Sequence, residues 1–207
     1  MQIQLRLHPK EKFLPSDSQF YLIDIYPIYY KIGSYAYNGT RYKSVIYEIY
    51  YQENGAIGLN SISTYSSNLG YHKKDIERII VLHDNNNDLP MYVFFSAHAQ
   101  EGKWYKFREC EYTDKELIVY ASLNSHSNRP RAGIAWRVFG FANDYTSEKG
   151  KHLTLTPIKD DTISYNAQNL EVIDTAMKSF LLPLYQKSIP KLKAKQAKKE
   201  LDNNKGV

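Results

Sequence analysis

The sequence has one cysteine, Cys110, which excludes a disulfide within the chain and suits a reducing compartment. It has no run of ~18 apolar residues, the length a membrane-spanning helix needs. Its opening, MQIQLRLHPKEKF, lacks the apolar core of a secretory signal. The expectation is a cytoplasmic protein, or one carried within a particle, that is not secreted by a signal peptide. Gly-rich phosphate loops, cysteine metal motifs and internal repeats are missing, and no serine sits in a G-x-S-x-G turn. Charge of one sign is missing from the body as well. The net charge is +5, and the seven lysines from Lys187 onward, set against Glu200 and Asp202, account for all of it. A neutral body offers no basic face for nucleic acid. Residues 187–207 read as a flexible, solvated tail, or as a weak tether to an anionic surface.

Tyrosine is abundant, at 19 of 207 residues, and Tyr, Ile, Val and Phe favour half-buried strands. Strand-like segments recur: SVIYEIYY (44–51), IERIIVL (76–82), MYVFFSA (91–97), KWYKF (103–107), LIVYASL (117–123) and GIAWRVFGF (133–141). MYVFFSA and LIVYASL are apolar on both faces and so read as interior strands. Turn formers such as ENG, HDNNNDLP and SNRPRAG separate the segments. This spacing predicts an all-β fold, an antiparallel β-sandwich, with LHPKEKFLPSDSQFYLI docked on it as extended strand and loop. NAQNLEVIDTAMKSFLLPLY (166–185) has the period of an amphipathic helix, ended or kinked at Pro183. The expected organisation is one domain over residues 1–186, a β-sandwich with a C-terminal helix, followed by the tail.

The polar chemistry collects at one end of the sheet. If strands 76–82, 91–97, 103–107 and 117–123 form an up-and-down meander, His72 precedes the first, His98 follows the second, and Asn124 and His126 follow the fourth, all at one rim. Asp75 and Glu77 are two apart, which puts both carboxylates on one face of a strand. Two like charges so close need a cation, a buried proton or good solvation. One reading is a solvated pair bridged to Lys73, Lys74 or Arg78. The other is a divalent cation of the Mg, Ca or Mn class, since carboxylates with one or two imidazoles suit these ions. Its ligands would be His72, Asp75, Glu77 and His98. In a flat meander strands about 4.8 Å apart would leave His126 roughly 14 Å from the first strand, so it joins only if the sheet curls. Asn124, His126, Asn143 and Asp144 are the remaining candidates for a ligand-binding rim, although FANDY (141–145) also reads as a simple capped loop. His83 reads as a surface turn histidine. Trp104 and Trp136 read as packing rather than as a sugar platform. Neither the serines near His98 and His126 nor Cys110 stands in a nucleophilic arrangement.

In order, the segments LHPKEKFLPS, YHKKDIERIIV, MYVFFSAHAQEGKW, VYASLNSHSNRPRAG and GFANDYTSEKG resemble the vacuolar protein sorting-associated protein 62 family, over about residues 5 to 155. Family members usually carry tryptophan in an H-x-x-D-W-E pattern; this chain has Ile76 there and keeps His72, Asp75 and Glu77. The same order is more distantly similar to the necrosis- and ethylene-inducing peptide-like proteins. Those are secreted β-sandwich cytolysins whose G-H-R-H-D-W-E heptapeptide holds a divalent cation that helps them bind sphingolipid head groups. The resemblance implies that role for His72, Asp75 and Glu77. GYHKKDIE lacks one heptapeptide histidine, and the chain lacks the relatives' signal peptide and disulfide pair, which speaks against a secreted toxin.

Three functions follow as expectations. The first is a non-enzymatic binding module whose rim takes a glycan or lipid head group, with or without a cation. The second is a structural or trafficking protein, for example a virion component, that works through a tyrosine-rich face and the basic tail. The third is a metal-dependent hydrolase with Glu77 or a histidine as general base.

Overall fold

Alternation of apolar and polar residues builds most of this molecule. The computed structural model describes residues 1–16, 25–37, 40–55, 71–98, 102–136 and 143–163. The strands are β1 (Gln2–Arg6), β2 (Ile25–Tyr37), β3 (Thr40–Asn54), β4 (His72–Asp84), β5 (Pro90–Phe95), β6 (Lys103–Lys106), β7 (Glu116–Ala121), β8 (Asn128–Arg129), β9 (Gly133–Ala135), β10 (Asp144–Thr146) and β11 (His152–Lys159). Nine of them form one sheet in the order β6-β5-β4-β3-β2-β11-β1-β7-β8, and β9 and β10 form a separate two-stranded ribbon. Pairing is antiparallel except for β1 with β7 and β2 with β11. The all-β expectation holds.

Every second residue points into a shared core: Ile3 and Leu5 of β1, Val45, Tyr47 and Ile49 of β3, Ile79 and Val81 of β4, Val93 and Phe95 of β5, Leu117 and Val119 of β7, Leu153 and Leu155 of β11. Strands from both halves of the sheet contribute, so the sheet is curled over its own core. Backbone hydrogen bonds join its two halves. Asn128 N, on the last strand, donates to Ser96 O just beyond β5, and Gly55 N, after β3, donates to Asn124 O. Gly55 is needed there, because a Cβ would lie 2.7 Å from the Asn124 Cβ.

The segments read as apolar on both faces are interior strands. Phe94 of β5 and Ile118 and Tyr120 of β7 face away from that core and are nonetheless buried. The four-strand meander is correct for three strands and wrong for the fourth. β4, β5 and β6 are neighbours, whereas β7 lies on the other side of the core between β1 and β8. A strand apolar on both faces belongs in a sheet interior with a partner on each edge, and a short 3-10 turn at Phe107–Glu109 carries the chain across to it. GIAWRVFGF is a strand only over Gly133–Ala135 among the described residues. The expected helix at 166–185 and the lysine tail lie outside the described residues. Met1–Ser164 groups as one compact unit and Tyr165–Val207 as another. Among the described residues no helix is long and apolar enough to cross a membrane.

Candidate functional site

The curl brings β4 against the turn after β7; buried Asp75 holds β4 to that turn, and buried Asp144, on β10, holds the turn to His98 beyond β5. Asp75 sits on β4 opposite Tyr51 of β3, and His72 opposite Asn54. Period-two geometry turns Asp75 and Glu77 to the inside, 7% and 5% exposed, while Ile76 between them faces out. Asp75 Oδ2 lies 3.0 Å from His126 Nδ1 and accepts from Asn54 Nδ2 at 3.0 Å; Oδ1 lies 3.3 Å from His72 Nε2. Burial alone would raise the Asp75 pKa, but the hydrogen bonds and charge of His126, helped by Asn54 and His72, hold it below the usual carboxylate range.

His126 is fully buried. Its ring stacks on Tyr51, centroids 3.8 Å apart, and meets the edge of Phe13. Glu11 Oε1, from the docked N-terminal segment, lies 3.7 Å from its Nε2. Burial would discharge the imidazole, but Asp75 and Glu11 outweigh it and raise its pKa. Glu11 also ties down the neighbouring backbone, accepting from Asn124 N at 2.6 Å. Glu77 is held differently. Burial and the charge of Asp75 push its pKa up to about 8, and its carboxyl accepts a hydrogen bond from Ser96 Oγ. At neutral pH the Asp75–Glu77 pair therefore retains a proton, one of the three resolutions open to paired carboxylates.

Asp144 is the second anchor. It gathers His98 Nε2 at 3.1 Å, Ser125 Oγ at 2.9 Å, Ser127 Oγ at 2.8 Å and the Arg129 guanidinium. Burial opposes ionisation of Asp144, yet His98 and Arg129 depress its pKa strongly. The three residues Ser125, His126 and Ser127 alternate, the serines to Asp144 and the histidine to Asp75, so the turn is clasped from both sides. The backbone is also constrained. Of the five non-glycine residues with left-handed φ among the described residues, four lie here: Lys74 (62°), His98 (43°), Asn124 (64°) and His126 (53°). Each such residue costs on the order of 1–3 kcal/mol, and such strain concentrates at binding and catalytic sites.

The structure thus brings His72, Asp75 and His126 into contact, places Glu77 one pleat along, and sets His98 on Asp144 instead. The four expected cation ligands divide between the two anchors, and among the described residues no three of His, Cys, Asp and Glu form a metal-holding group. Asn124 contributes backbone; Asn143 adjoins Asp144. His83, read as a surface residue, is largely covered at the far end of β4, where its Nδ1 lies 3.0 Å from Asp88 O. Sequence reasoning assigned no site role to Glu11, Tyr51, Asn54, Ser96 and Arg129, because strand register or docking between distant parts of the chain brings each to the site. The SHS triplet was visible, but nothing local marked its two serines as carboxylate donors.

Beside Asp144 opens a cleft of about 870 Å³, lined among others by Lys103, Tyr105, Glu109, Arg129, Arg131 and Trp136. Trp136 is 74% exposed and Ile134 is 51% exposed, which corrects the packing role expected of Trp136: β9 ends before it and, among the described residues, no strand covers it. Trp104 is buried against Phe94, as expected. Arg129 joins cleft and anchor. Gly133, at φ 141°, supplies the backbone freedom that lets the chain turn into β9.

A family model described as Vacuolar protein sorting-associated protein 62 matches residues 23–149. No curated protein matches the chain. Solved structures that are similar include NLPPya, a necrosis- and ethylene-inducing peptide-like protein, in complex with glucosamine, at 16% identity over 83% of this chain and 75% of that one, TM-score 0.45. NLPPya in complex with mannosamine is similar at 15% identity over 83% and 74%, TM-score 0.43.

Proposed function

The chain belongs to the vacuolar protein sorting-associated protein 62 family, and for it we propose a non-enzymatic β-sandwich binding module that takes a polar ligand, a glycan or a lipid head group, in the cleft lined by β6, residues 129–136 and Thr146 of β10. The observation that carries this reading is the cleft beside Asp144. It combines an exposed indole with guanidinium groups whose positions are fixed, Arg129 by Asp144 and Arg131 by the backbone oxygen of Glu109. A concave site with an aromatic wall and a few oriented polar groups is the usual form of a small-ligand pocket. The strained backbone and buried charge behind it are costly features that sandwich stability alone does not call for. Screening the full chain against glycan and head-group arrays tests the reading. A hit that Trp136→Ala weakens supports it; no hit, or hits indifferent to Trp136→Ala, sinks it.

The finer part of the proposal is a divalent cation. His72, Asp75 and Glu77 are the residues that would hold it, and oxygen donors of this kind suit Mg²⁺, Ca²⁺ or Mn²⁺. Both carboxylates are buried on one face of β4, but with His72 they do not stand as a ready-made metal group among the described residues, so an ion would have to draw the three together. His98, committed to Asp144, stands apart. When bound, the ion would offer ligand oxygens a Lewis-acidic contact. Calorimetry with Mg²⁺, Ca²⁺, Mn²⁺ and Zn²⁺ should show binding that strengthens from pH 6 to pH 8 and disappears in Asp75→Ala. Equal binding by that variant, or none by the wild type, removes the cation.

A further inference from the structure

We infer that the ligand of this cleft is an acidic saccharide, with its ring on Trp136 and a single carboxylate, sulfate or phosphate held by Arg131 and Lys103 beside Arg129. The inference rests on the cleft being the ligand site, as proposed above, and adds the charge of what it takes.

Among the described residues, four formal charges line the cleft: Lys103, Arg129 and Arg131, positive, and Glu109, negative. Arg129 is balanced from behind by Asp144, which is itself 3% exposed. That leaves Arg131 and Lys103 against Glu109, a surplus of one positive charge. The Glu109 carboxylate is engaged with its own turn, where it accepts from Lys106 N at 3.1 Å. One anionic group on the ligand would leave the site neutral. A cationic sugar would add to the surplus.

Both arginines are ordered in advance. Arg131 donates through Nε at 3.2 Å and Nη2 at 3.1 Å to the backbone oxygen of Glu109. Arg129 is fixed by its bond to Asp144, and its Nε–H is buried away from the cleft, so the anion falls to Arg131 and Lys103. A planar guanidinium held in place loses little entropy when it engages a carboxylate or phosphate in two-point fashion. Trp136, 74% exposed, supplies the flat apolar surface against which a ring can lie. Tyr105, half-buried in the cleft wall, adds a hydroxyl that can accept or donate to ring substituents.

Ligand-observed NMR titration of the full chain tests this with four sugars of one ring size: glucose, glucosamine, glucuronate and glucose 6-phosphate, with inorganic phosphate as a fifth arm. Glucuronate and glucose 6-phosphate are expected to bind at least about tenfold tighter than glucose, with glucosamine weakest. Arg131→Gln and, independently, Lys103→Gln should weaken the acidic sugars several-fold more than glucose, bringing the two toward one level. Trp136→Ala should weaken all of them about tenfold. Both Lys103 and Trp136 are exposed, so at least two of these variants keep the fold. Glucose binding as tightly as glucuronate, or glucosamine binding tightest, overturns the acidic assignment and leaves the polar-ligand reading standing. Inorganic phosphate binding as tightly as glucose 6-phosphate overturns the saccharide half. Acidic-sugar binding indifferent to all three substitutions places it elsewhere on a basic chain and overturns the inference. Silence from every sugar overturns both readings together.

Discussion

Glu77 and His126 keep protons in the folded protein that the unfolded chain would release sooner, and this sets the pH dependence of stability. Glu77 moves from an ordinary value of 4.5 up to about 8, because its burial and the charge of Asp75 both disfavour the carboxylate. Its protonated form is compatible with the fold, so stability falls as pH rises from about 4.5 through 8. His126 works in the same direction. Its raised pKa gives stability that is complete below about 6.5 and lost as pH climbs through the folded value. Asp75 and Asp144 work in the opposite direction: their depressed pKa values stabilise above about 3.8, and that stability is lost on acidification. The thermal midpoint is therefore expected to peak on the acid side of neutrality and to decline toward pH 8. Glu77→Gln should flatten that decline, because it fixes the neutral form. A wild-type midpoint that rises steadily from pH 5 to pH 8 in thermal denaturation would overturn this account.

On β4, a single register decides what each residue does. Ile79 is fully buried and Ile76 is 37% exposed on the opposite face, although both stand in the same apolar-looking stretch. Ile79→Ala should cost about 2–5 kcal/mol, and Ile76→Ala no more than about 0.5 kcal/mol; urea unfolding of the two variants checks the contrast. The outward position of Ile76 also explains why the family's usual tryptophan can be absent without disturbing Asp75 and Glu77, which face inward. This much was legible from sequence, because period-two alternation survives in HKKDIERIIVL and fixes both faces of the strand. The turn at 123–127 was not legible in the same way. Its candidates were named, but its geometry depends on left-handed backbone at Asn124 and His126, positions that carry no glycine to announce it. The reach of His126 depended on the curl of the sheet, a property of how distant strands pair and not of any one segment. Glu11 shows the limit most plainly. It sits in a proline-containing opening stretch with no periodicity, and only the docking of that stretch brings its carboxylate to His126.

At the scale of the whole molecule, two kinds of charge divide the chain. The body up to residue 186 is neutral in sum, and the surplus of +5 lies in residues 187–207. Within the body, charges are paired at short range across the sheet, as Arg78 with Glu48 at 2.7 Å and Asp75 with His126. Such pairs have little reach beyond a Debye length of about 8 Å in physiological salt. The tail's lysines have no comparable supply of acidic neighbours in sequence, and each lysine near an anionic bilayer contributes about 1 kcal/mol at modest ionic strength. The tail and the cleft are thus expected to act as separable functions: one adheres through summed charge, the other selects through fixed geometry. Replacing Lys191, Lys193, Lys195, Lys198 and Lys199 with glutamine tests the separation in the intact chain. Sedimentation with phosphatidylserine-containing vesicles should fall at least about tenfold in low salt, and the wild-type value should itself collapse as salt is raised. Ligand binding by the cleft should be unchanged in the same protein. Vesicle binding that survives the five substitutions assigns adhesion to the body, and a parallel loss of cleft binding would mean that the lysines, and not Arg131, Lys103 and Trp136, supply the affinity.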